Sequence, residues 1–308
     1  MTGDLVGEIL ESVNLHRTFN KDTPHLIINA NQVLSSHQVE GLIMEPEELP
    51  DGVRAKLRVK KGVKIGSPVH LCFGLLPERG VQHIIMDIEI EDEAEVSFMA
   101  HCTFPNAVDV EHRMEAQIKV GRQAKYSYFE RHWHSDEGMV KVVPVARIEL
   151  EEGAHFSTEF ELLKGRVGLI DLDYRTTCQA RSSAEMKARI FGRQDDRIQI
   201  REAAHLIGEG SRAVLTTHVA VKNQARAEIN NEIIAEAPYA RGHVDCKEII
   251  QDNGLARAVP VVEVRNPKAY VTHEAAIGSV DSKQLQTLMS RGLSEEEAVD
   301  LIVEGLLS

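Results

Sequence analysis

The sequence contains few aromatic residues, no block of basic charge and no long apolar run. Aromatic residues make up only 5% of its 308 residues. This argues against a solenoid enzyme that cleaves polysaccharides, because such an enzyme binds sugar rings on aromatic side chains. The 35 Lys and Arg against 48 Asp and Glu give a net charge of −13, and we therefore expect no binding to nucleic acid. The longest apolar runs, such as residues 258–262, are far shorter than the ~20 residues that span a bilayer, and we expect no membrane insertion.

Motifs for catalysis and nucleotide binding are also missing. The sequence has no Walker A motif, no dinucleotide-binding glycine fingerprint, no GxSxG and no CxxC pair. We therefore expect a protein that is not an enzyme and does not hydrolyse ATP itself. Residues 1–5 do not resemble the basic start of a signal peptide, and the four isolated cysteines suit a reducing compartment, which predicts a cytoplasmic protein.

A repeat with a period of 30 residues dominates the middle of the chain. Segments 87–97, 117–127 and 147–157 share one pattern of strand, turn and strand, with isoleucine, alanine and serine at equivalent positions: Ile88, Ile118, Ile148; Ala94, Ala124, Ala154; Ser97, Ser127, Ser157. A fixed period of this kind predicts one structural unit stacked on copies of itself. The period is too long for a hexapeptide-repeat helix, and a β-sandwich has no reason to keep one spacing. It becomes less regular after residue 158.

Three regions follow from the pattern. Residues 1–52 are predicted to be helical because Leu5, Ile9, Leu10 and Val13 form an apolar stripe, although residues 25–29 suit either a helix or a strand. Turn-forming residues at 45–52 mark a boundary. Residues 53–280 alternate with the period of strands and form the solenoid core, and residues 281–308 return to helix.

The C-terminal region predicts two short amphipathic helices. The first carries Leu285, Leu288 and Met289 on one face and ends near Gly292. Residues 294–297 form a capping box for the second, whose apolar stripe is Ala298, Leu301, Ile302 and Leu306. Such helices can cap the open end of a solenoid or offer a docking surface to a partner, and their spacing does not decide between the two.

Cys246 and His273 are the first candidates for chemistry. They lie 27 residues apart, close to one coil, so that they can stand on neighbouring strands about 4.8 Å apart. A thiolate and an imidazole together suit iron, zinc or an iron–sulfur cluster. The alternative is a surface pair of His273 with Glu274. Cys102 precedes Cys246 by about five coils, or about 25 Å, so these two thiols cannot bind one ion.

The remaining cysteines and a histidine pair have plainer interpretations. Cys72 and Cys178 are expected to be small buried apolar residues. His132 and His134 alternate, so that on a strand they would share a face and could bind a metal. A polar loop around the only tryptophan is the favoured alternative.

Several segments resemble the SufB/SufD family of iron–sulfur assembly scaffolds, and SufB more than SufD. V-T-H-E-A-A-I-G at 271–278 is similar to the family's E-H-E-A-T segment, and residues 284–298 are similar to its Q-L-F-Y-L-x-x-R-G-[IL]-S-E-E-x-A signature. Residues 245–246, 101–105 and 125–133 resemble the T-Q-C-D, E-G-C-T-A-P and Y-S-T-V-Q-N-W elements. The resemblance covers roughly residues 55–308.

The resemblance implies a fold and a set of site residues. The fold is a right-handed parallel β-helix with helical regions at both termini. Cys246 matches the thiol that builds the cluster, Cys102 matches the cysteine that accepts sulfur, and His273 and Glu274 match the His-Glu of the E-H-E element. The first glutamate of that element is replaced by Thr272, a loss for which Asp245 or Glu274 could compensate. His243 is a further candidate ligand.

The resemblance also implies a function and partners. The expected function is that of a scaffold for de novo iron–sulfur cluster assembly, which handles iron and a transient cluster. The C-terminal helices would dock a SufC-like ABC ATPase, and a cysteine desulfurase or another sulfur donor would supply persulfide. Because Cys246 and His273 occur on one chain, we expect a homodimer that builds the site from two copies. The alternative is a SufD-like interaction subunit without its own cluster.

Overall fold

The structure is a computed structural model that describes residues 2–15, 19, 22–137 and 139–307. The described residues form three helices and nineteen strands. The helices are α1 (Thr2–Ser12), α2 (Ser282–Met289) and α3 (Glu295–Leu307). The strands are β1 (His25–Asn29), β2 (Gln32–His37), β3 (Leu42–Leu49), β4 (Gly52–Val59), β5 (Val69–Gly74), β6 (Arg79–Ile90), β7 (Glu95–Phe104), β8 (Asp109–Val120), β9 (Lys125–His134), β10 (Val140–Leu150), β11 (His155–Leu162), β12 (Leu169–Cys178), β13 (Ser183–Gly192), β14 (Arg197–Leu206), β15 (Arg212–Val221), β16 (Arg226–Ala235), β17 (Arg241–Ile250), β18 (Leu255–Val264) and β19 (Tyr270–Gly278).

The strands alternate between two sheets, which makes the core a β-solenoid. Sheet 1 has the order β19-β17-β15-β13-β11-β9-β7-β5-β1-β2, and sheet 2 has the order β18-β16-β14-β12-β10-β8-β6-β4-β3. Successive coils pair in parallel, and Ile118 is in register with both Ile88 and Ile148. The predicted repeat and solenoid are therefore confirmed. Beyond residue 158 the coil shortens by about one residue, since Ser183 pairs with Arg212 and Arg212 with Arg241.

Tight turns between the strands explain the repeated alanine. The N–H groups of Ala94 and Ala124 close four-residue turns, and the residues before them, Glu93 and Gln123, have φ of 61° and 54°. The N–H of Glu93 donates to the carbonyl of Arg122 in the next coil, so that the corners stack through backbone hydrogen bonds. Both alanines are buried, and a larger side chain would separate the stacked corners.

The N-terminal region differs from the helical prediction. Among the described residues of this region helix is confined to α1, and residues 25–49 form β1, β2 and β3, which pair with the solenoid. The turn cluster at 45–52 lies in the β3–β4 hairpin and is not a domain boundary. The prediction was wrong here because the alternation of β1 and β2 is short. The predicted stripe is correct within α1, where Ile9 and Leu10 are buried against Ile27 and Cys72.

The C-terminal helices lie against the side of the solenoid. Val299, Ile302 and Val303 of α3 pack with Phe191 and Ala220 on the outer face of sheet 1. Strands β18 and β19 are therefore left as the open end, and the capping alternative is excluded. The stripe is shifted from the prediction because Leu301 is exposed; the side chain of Leu306 lies outside the described residues.

The predicted capping box of α3 is present. The Ser294 hydroxyl accepts a hydrogen bond from the Glu297 N–H at 3.3 Å, and the Glu297 carboxylate accepts one from the Ser294 N–H at 2.8 Å. In the part of the chain that the structure describes, each helix is too short or too polar to cross a membrane.

Candidate functional site

Polar side chains interrupt the otherwise apolar interior of the solenoid. Alternate residues of each strand point between the two sheets, and most are aliphatic or aromatic. Among the exceptions that are at most 2% exposed, we call five residues the polar strip: Glu130, Glu202, Thr217, Asn231 and Glu248. Since buried polar groups are costly unless they are paired, these residues are candidates for function.

Cys246 lies at the C-terminal end of the polar strip. The Asn231 amide Nδ2 is 3.6 Å from the Cys246 Sγ and donates to the Thr217 hydroxyl at 2.7 Å. Thr217 in turn donates to a carboxylate oxygen of Glu202 at 3.3 Å. Burial, with the nearby Glu248, raises the pKa of the Cys246 thiol to about 12. The thiol is therefore protonated until a metal or a positive group approaches it.

His273 shares the inner face with Cys246. Val244 is in register with His273, and Cys246 with Ala275, which places His273 on the next strand and two residues along. This offset corresponds to about 8 Å between the Cα atoms of Cys246 and His273. His273 is exposed because β19 is the last strand of sheet 1. The two residues can therefore contribute to one site at the open end.

The other predicted ligands lie on the outer face of sheet 1. Asp245 accepts hydrogen bonds from Lys247 at 3.2 Å and from His218 at 3.3 Å. His243 contacts the Thr272 hydroxyl at 2.8 Å, and Glu274 is in register with Asp245. Neighbouring residues of a strand point to opposite faces, so these side chains are not brought together with Cys246 within one chain.

Cys102 belongs to a second group of buried side chains. Its Sγ is 3.9 Å from a carboxylate oxygen of Glu130, and that oxygen is 2.7 Å from the His132 Nε2. One ligand atom from each of these three residues lies within 4.8 Å of the others. His132 and His134 sit at the end of β9, with 3.2 Å between the Nδ1 of His132 and the Nε2 of His134. The favoured prediction of a polar loop was wrong, because β9 extends through both histidines.

Burial shifts the pKa values of this second group in the direction that favours the neutral forms. Desolvation raises the pKa of the Cys102 thiol well above its usual range, and the neighbouring Glu130 adds to this shift. The Glu130 carboxyl has its pKa raised to about 7 by burial, and the pKa values of His132 and His134 are lowered to about 3 by burial. A thiolate or carboxylate here therefore needs a cation as partner.

Residues of the polar strip lie in the interior between the two cysteines, and in sheet 1 Phe160 and Ala188 separate Glu130 from Thr217. Register pairs place Glu130, Thr217 and Cys246 in one inward column of sheet 1, and the column of sheet 2 that contains Glu202 and Asn231 also contains Tyr174. Burial, together with Glu130 and Glu202 on either side, raises the pKa of the Tyr174 hydroxyl well above its usual range. Five strand spacings, about 24 Å, separate the strands of the two cysteines, in agreement with the sequence estimate.

Cys72 and Cys178 are buried free thiols, as predicted. Cys72 packs beneath α1 with Ile9 and Leu10. Cys178 belongs to the main apolar core. Burial raises the pKa of both thiols to about 12, so both behave as small apolar side chains.

The sequence prediction missed Glu130, Glu202 and Glu248. Each of these residues occupies an inward position in a strand whose other inward positions are apolar, aromatic, Cys or His. In a strand, apolar and polar residues alternate, and a glutamate at a position where the pattern calls for an apolar residue is the signal that could have identified them. To use this signal, one must know which residues of the strand point inward, and the repeat indicates this most clearly before residue 158.

Comparisons with known proteins agree on one family. The family model described as "SUF system FeS cluster assembly, SufBD core domain" matches residues 77–306. An iron–sulfur cluster assembly SufBD family protein of Methanocaldococcus jannaschii is 36% identical over 284 residues, which cover 92% of this chain and 90% of that protein. A SufBD family protein of Pyrococcus horikoshii is 38% identical over 282 residues, covering 92% and 86%. The iron–sulfur cluster assembly protein SufB of Bacillus subtilis is 26% identical over 265 residues, covering 81% and 54%. The chain therefore belongs to the SufBD family of SUF-system iron–sulfur cluster assembly proteins.

Proposed function

We propose that the protein is a cytoplasmic scaffold, not an enzyme, on which an iron–sulfur cluster is assembled at Cys246. In this proposal Cys102 accepts persulfide sulfur from a cysteine desulfurase or another donor, and Cys246 and His273 hold iron and the growing cluster. Asp245, His243 and Glu274 would contribute only if a second copy presents them, because within one chain they lie on the opposite face. Four free cysteines suit the reducing conditions that this chemistry needs.

The polar strip is the observation that carries the proposal. An apolar interior would serve stability alone, whereas Glu202, Thr217 and Asn231 form a hydrogen-bonded chain that ends at the Cys246 thiol. A polar interior gives sulfur and protons a route that hydrocarbon side chains would not. The presence of cysteines near both ends of this strip favours a cluster-building scaffold over an interaction subunit without a cluster.

The open end supports a homodimer. Strands β18 and β19 are the edges of their sheets, and their exposed apolar side chains are Leu255, Val261, Val262, Val264, Tyr270 and Ile277. Exposed edges with apolar side chains favour association. A twofold contact between two such ends would bring two copies of Cys246 and His273 together.

The C-terminal helices support an ABC-type ATPase as a further partner. They are attached to sheet 1 through Val299 and Val303, while Met289 and Leu301 remain exposed at 41% and 49%. An amphipathic helix pair that is anchored by one face can present the other to a partner. ATP binding by that partner would then act on the solenoid through α3.

Anaerobic reconstitution tests the proposal. The protein with ferrous iron, cysteine, a cysteine desulfurase and dithiothreitol, which supplies the two electrons that reduce each persulfide sulfur to sulfide, should develop the visible absorbance and Mössbauer signature of a cluster. Cys246→Ser should abolish it, because the thiolate is the anionic ligand at the open end, and His273→Ala should weaken it.

Cys178→Ser is the matched control, since Cys178 is equally buried and lies in the apolar core. It should assemble the cluster like the parent protein. A cluster of unchanged spectrum and yield in Cys246→Ser would refute the proposal. Absence of a cluster in the parent protein, alone and with its ATPase, would favour the interaction-subunit alternative.

A further inference from the structure

The buried group formed by Cys102, Glu130 and His132 has the composition of a metal centre. We propose that it is a second metal site, distinct from the cluster site at Cys246, which binds one divalent transition ion such as Fe²⁺ or Zn²⁺ through the Cys102 Sγ, a Glu130 carboxylate oxygen and the His132 Nε2. These ligand atoms come from β7 and β9, which are hydrogen-bonded neighbours in sheet 1. The inference rests on this geometry and does not require the proposed assembly function.

Hydrogen bonds orient His132 as a ligand. The Nδ1–H of His134 donates to the Arg166 carbonyl at 2.9 Å, because a carbonyl can only accept. In a neutral ring this leaves the His134 Nε2 as an acceptor, and it lies 3.2 Å from the His132 Nδ1, which must then carry the hydrogen. The lone pair of His132 therefore sits on Nε2 and points towards Glu130. A ligating histidine is oriented in this way in metal sites, through the N–H on its far side.

The charges of the three ligands match a divalent ion. A Cys102 thiolate and a Glu130 carboxylate carry two negative charges, which a dication cancels, and the neutral imidazole adds none. A neutral complex costs far less to bury than separate ions, and all three side chains are at most 2% exposed. The mixed set of sulfur, nitrogen and oxygen donors suits Zn²⁺ and Fe²⁺ and does not suit Mg²⁺ or Ca²⁺.

Unpartnered polar atoms around the group point to the same conclusion. Neither ring nitrogen of His112 has a hydrogen-bond partner among the described residues. His112 is fully buried, and its ring centroid is 6.0 Å from that of His132. Orphaned atoms of this kind are rare in protein interiors. His112 is therefore a neighbouring imidazole with two unused ring nitrogens beside the three ligands.

A metal ion would also affect the role of Cys102 in sulfur transfer. A thiolate bound to a metal is not free to attack a persulfide, so metal binding and sulfur acceptance at Cys102 would alternate. The presence of a metal ion should therefore slow alkylation of Cys102. An ion bound at Cys102 does not shield Cys246, since Cys246 lies about 24 Å away along the sheet.

Cobalt(II) is the probe for this site. Anaerobic titration of the full chain with Co²⁺ should give one equivalent of thiolate-to-cobalt charge transfer with ligand-field bands of four-coordinate intensity, and Zn²⁺ should displace it. Cys102→Ser and Glu130→Gln should each weaken binding by on the order of 100-fold. Glu130→Gln should still fold, because its amide can donate to the His132 Nε2 as the protonated carboxyl does.

Two further variants separate this site from its alternatives. Cys246→Ser should lose the assembled cluster and keep the cobalt spectrum, so that failure of one proposal does not imply failure of the other. His134→Phe keeps an aromatic ring and removes the group that orients His132, and it should weaken Co²⁺ binding about tenfold without removing the charge-transfer band.

Three results would overturn the inference. They are the absence of a charge-transfer band in the parent protein, a band that persists unchanged in Cys102→Ser, and a band that disappears in Cys246→Ser. Circular dichroism of each variant, compared with that of Cys178→Ser, shows that the fold is retained.

Discussion

The two cysteine sites of the solenoid differ in how deeply they are enclosed. Cys102 has coils on both sides, and the rings of Phe104 and Phe160 pack against the histidines beside it. Cys246 is separated from the open end by one strand, β19, where most side chains are exposed. The same strand-and-turn unit thus encloses Cys102, Glu130 and His132 in a buried region, which we call the sealed chamber, and leaves an exposed edge at β19.

This difference sets the chemistry available to each thiol. In the sealed chamber a charge must be cancelled by a neighbour within the chain or by a bound ion. At the open end, groups from a second molecule can complete the site. Position along the solenoid, more than the identity of the nearest residues, therefore separates the chamber at Cys102 from the site at Cys246.

Removal of a ring from the sealed chamber should have the largest effect on folding. Phe160 is 2% exposed, and its centroid lies 4.8 Å from that of His132. Phe160→Ala should lower the free energy of unfolding by about 3–5 kcal/mol, because it leaves a cavity that the stacked coils cannot close. Urea unfolding followed by circular dichroism measures this effect.

Ile277→Ala is the corresponding change at the open end. Ile277 is 49% exposed, and its truncation should change the stability by no more than about 0.5 kcal/mol. Equal losses in the two variants would show that the coils at both ends are packed alike, and the contrast between a sealed chamber and an open end would then be wrong.

Replacement of Glu202 should have an intermediate effect on the stability of the protein, and this effect should depend on pH. Burial raises the pKa of its carboxyl to about 7, above that of an exposed glutamate. Between the unfolded and folded pKa values the native state binds the extra proton, so stability falls as the pH rises through this window and the full cost is present above about pH 7. Glu202→Gln should therefore stabilise the protein at about pH 8 relative to about pH 5, by at most about 3 kcal/mol.

Glu185→Gln, on the exposed outer face of β13, controls for the loss of a charge. It should show the same pH profile of thermal unfolding as the parent protein. If Glu202→Gln also left that profile unchanged, water or a cation would have to solvate Glu202, and the interior would be more open than its burial indicates.

Much of the fold could be predicted because the repeat is explicit. The alignment of Ile88, Ile118 and Ile148 in the sequence is the alignment of three paired strands in the structure. The strands of residues 25–49 were missed because no copy of them recurs, so that only local pattern was available. The packing of α3 against sheet 1, and not over the open end, depends on Phe191 and Ala220, which are distant in sequence.

The site was predictable only in part. Spacing brought Cys246 and His273 to neighbouring strands, and the register confirms that they share a face. Spacing alone could not separate them from Asp245 and Glu274, because a shift of one residue moves a side chain to the opposite face. The group at Cys102 was hidden because Glu130 and His132 look like surface residues until the phase of β9 is known.

A charge at the edge strand should have the smallest effect on folding and a specific effect on association. Val261 on β18 and Val81 on β6 are 43% and 42% exposed, so Val261→Asp and Val81→Asp are closely matched. Each should change the free energy of unfolding of the chain by no more than about 0.5 kcal/mol. In a twofold contact between open ends, Val261→Asp places two like charges near each other, which should weaken the dimer at least about tenfold.

Sedimentation velocity across a range of concentrations measures the dissociation of the dimer, with Val81→Asp expected to match the parent protein. An unchanged dimer in Val261→Asp would mean that the copies associate through another surface, and that the exposed edge at Cys246 serves a different partner.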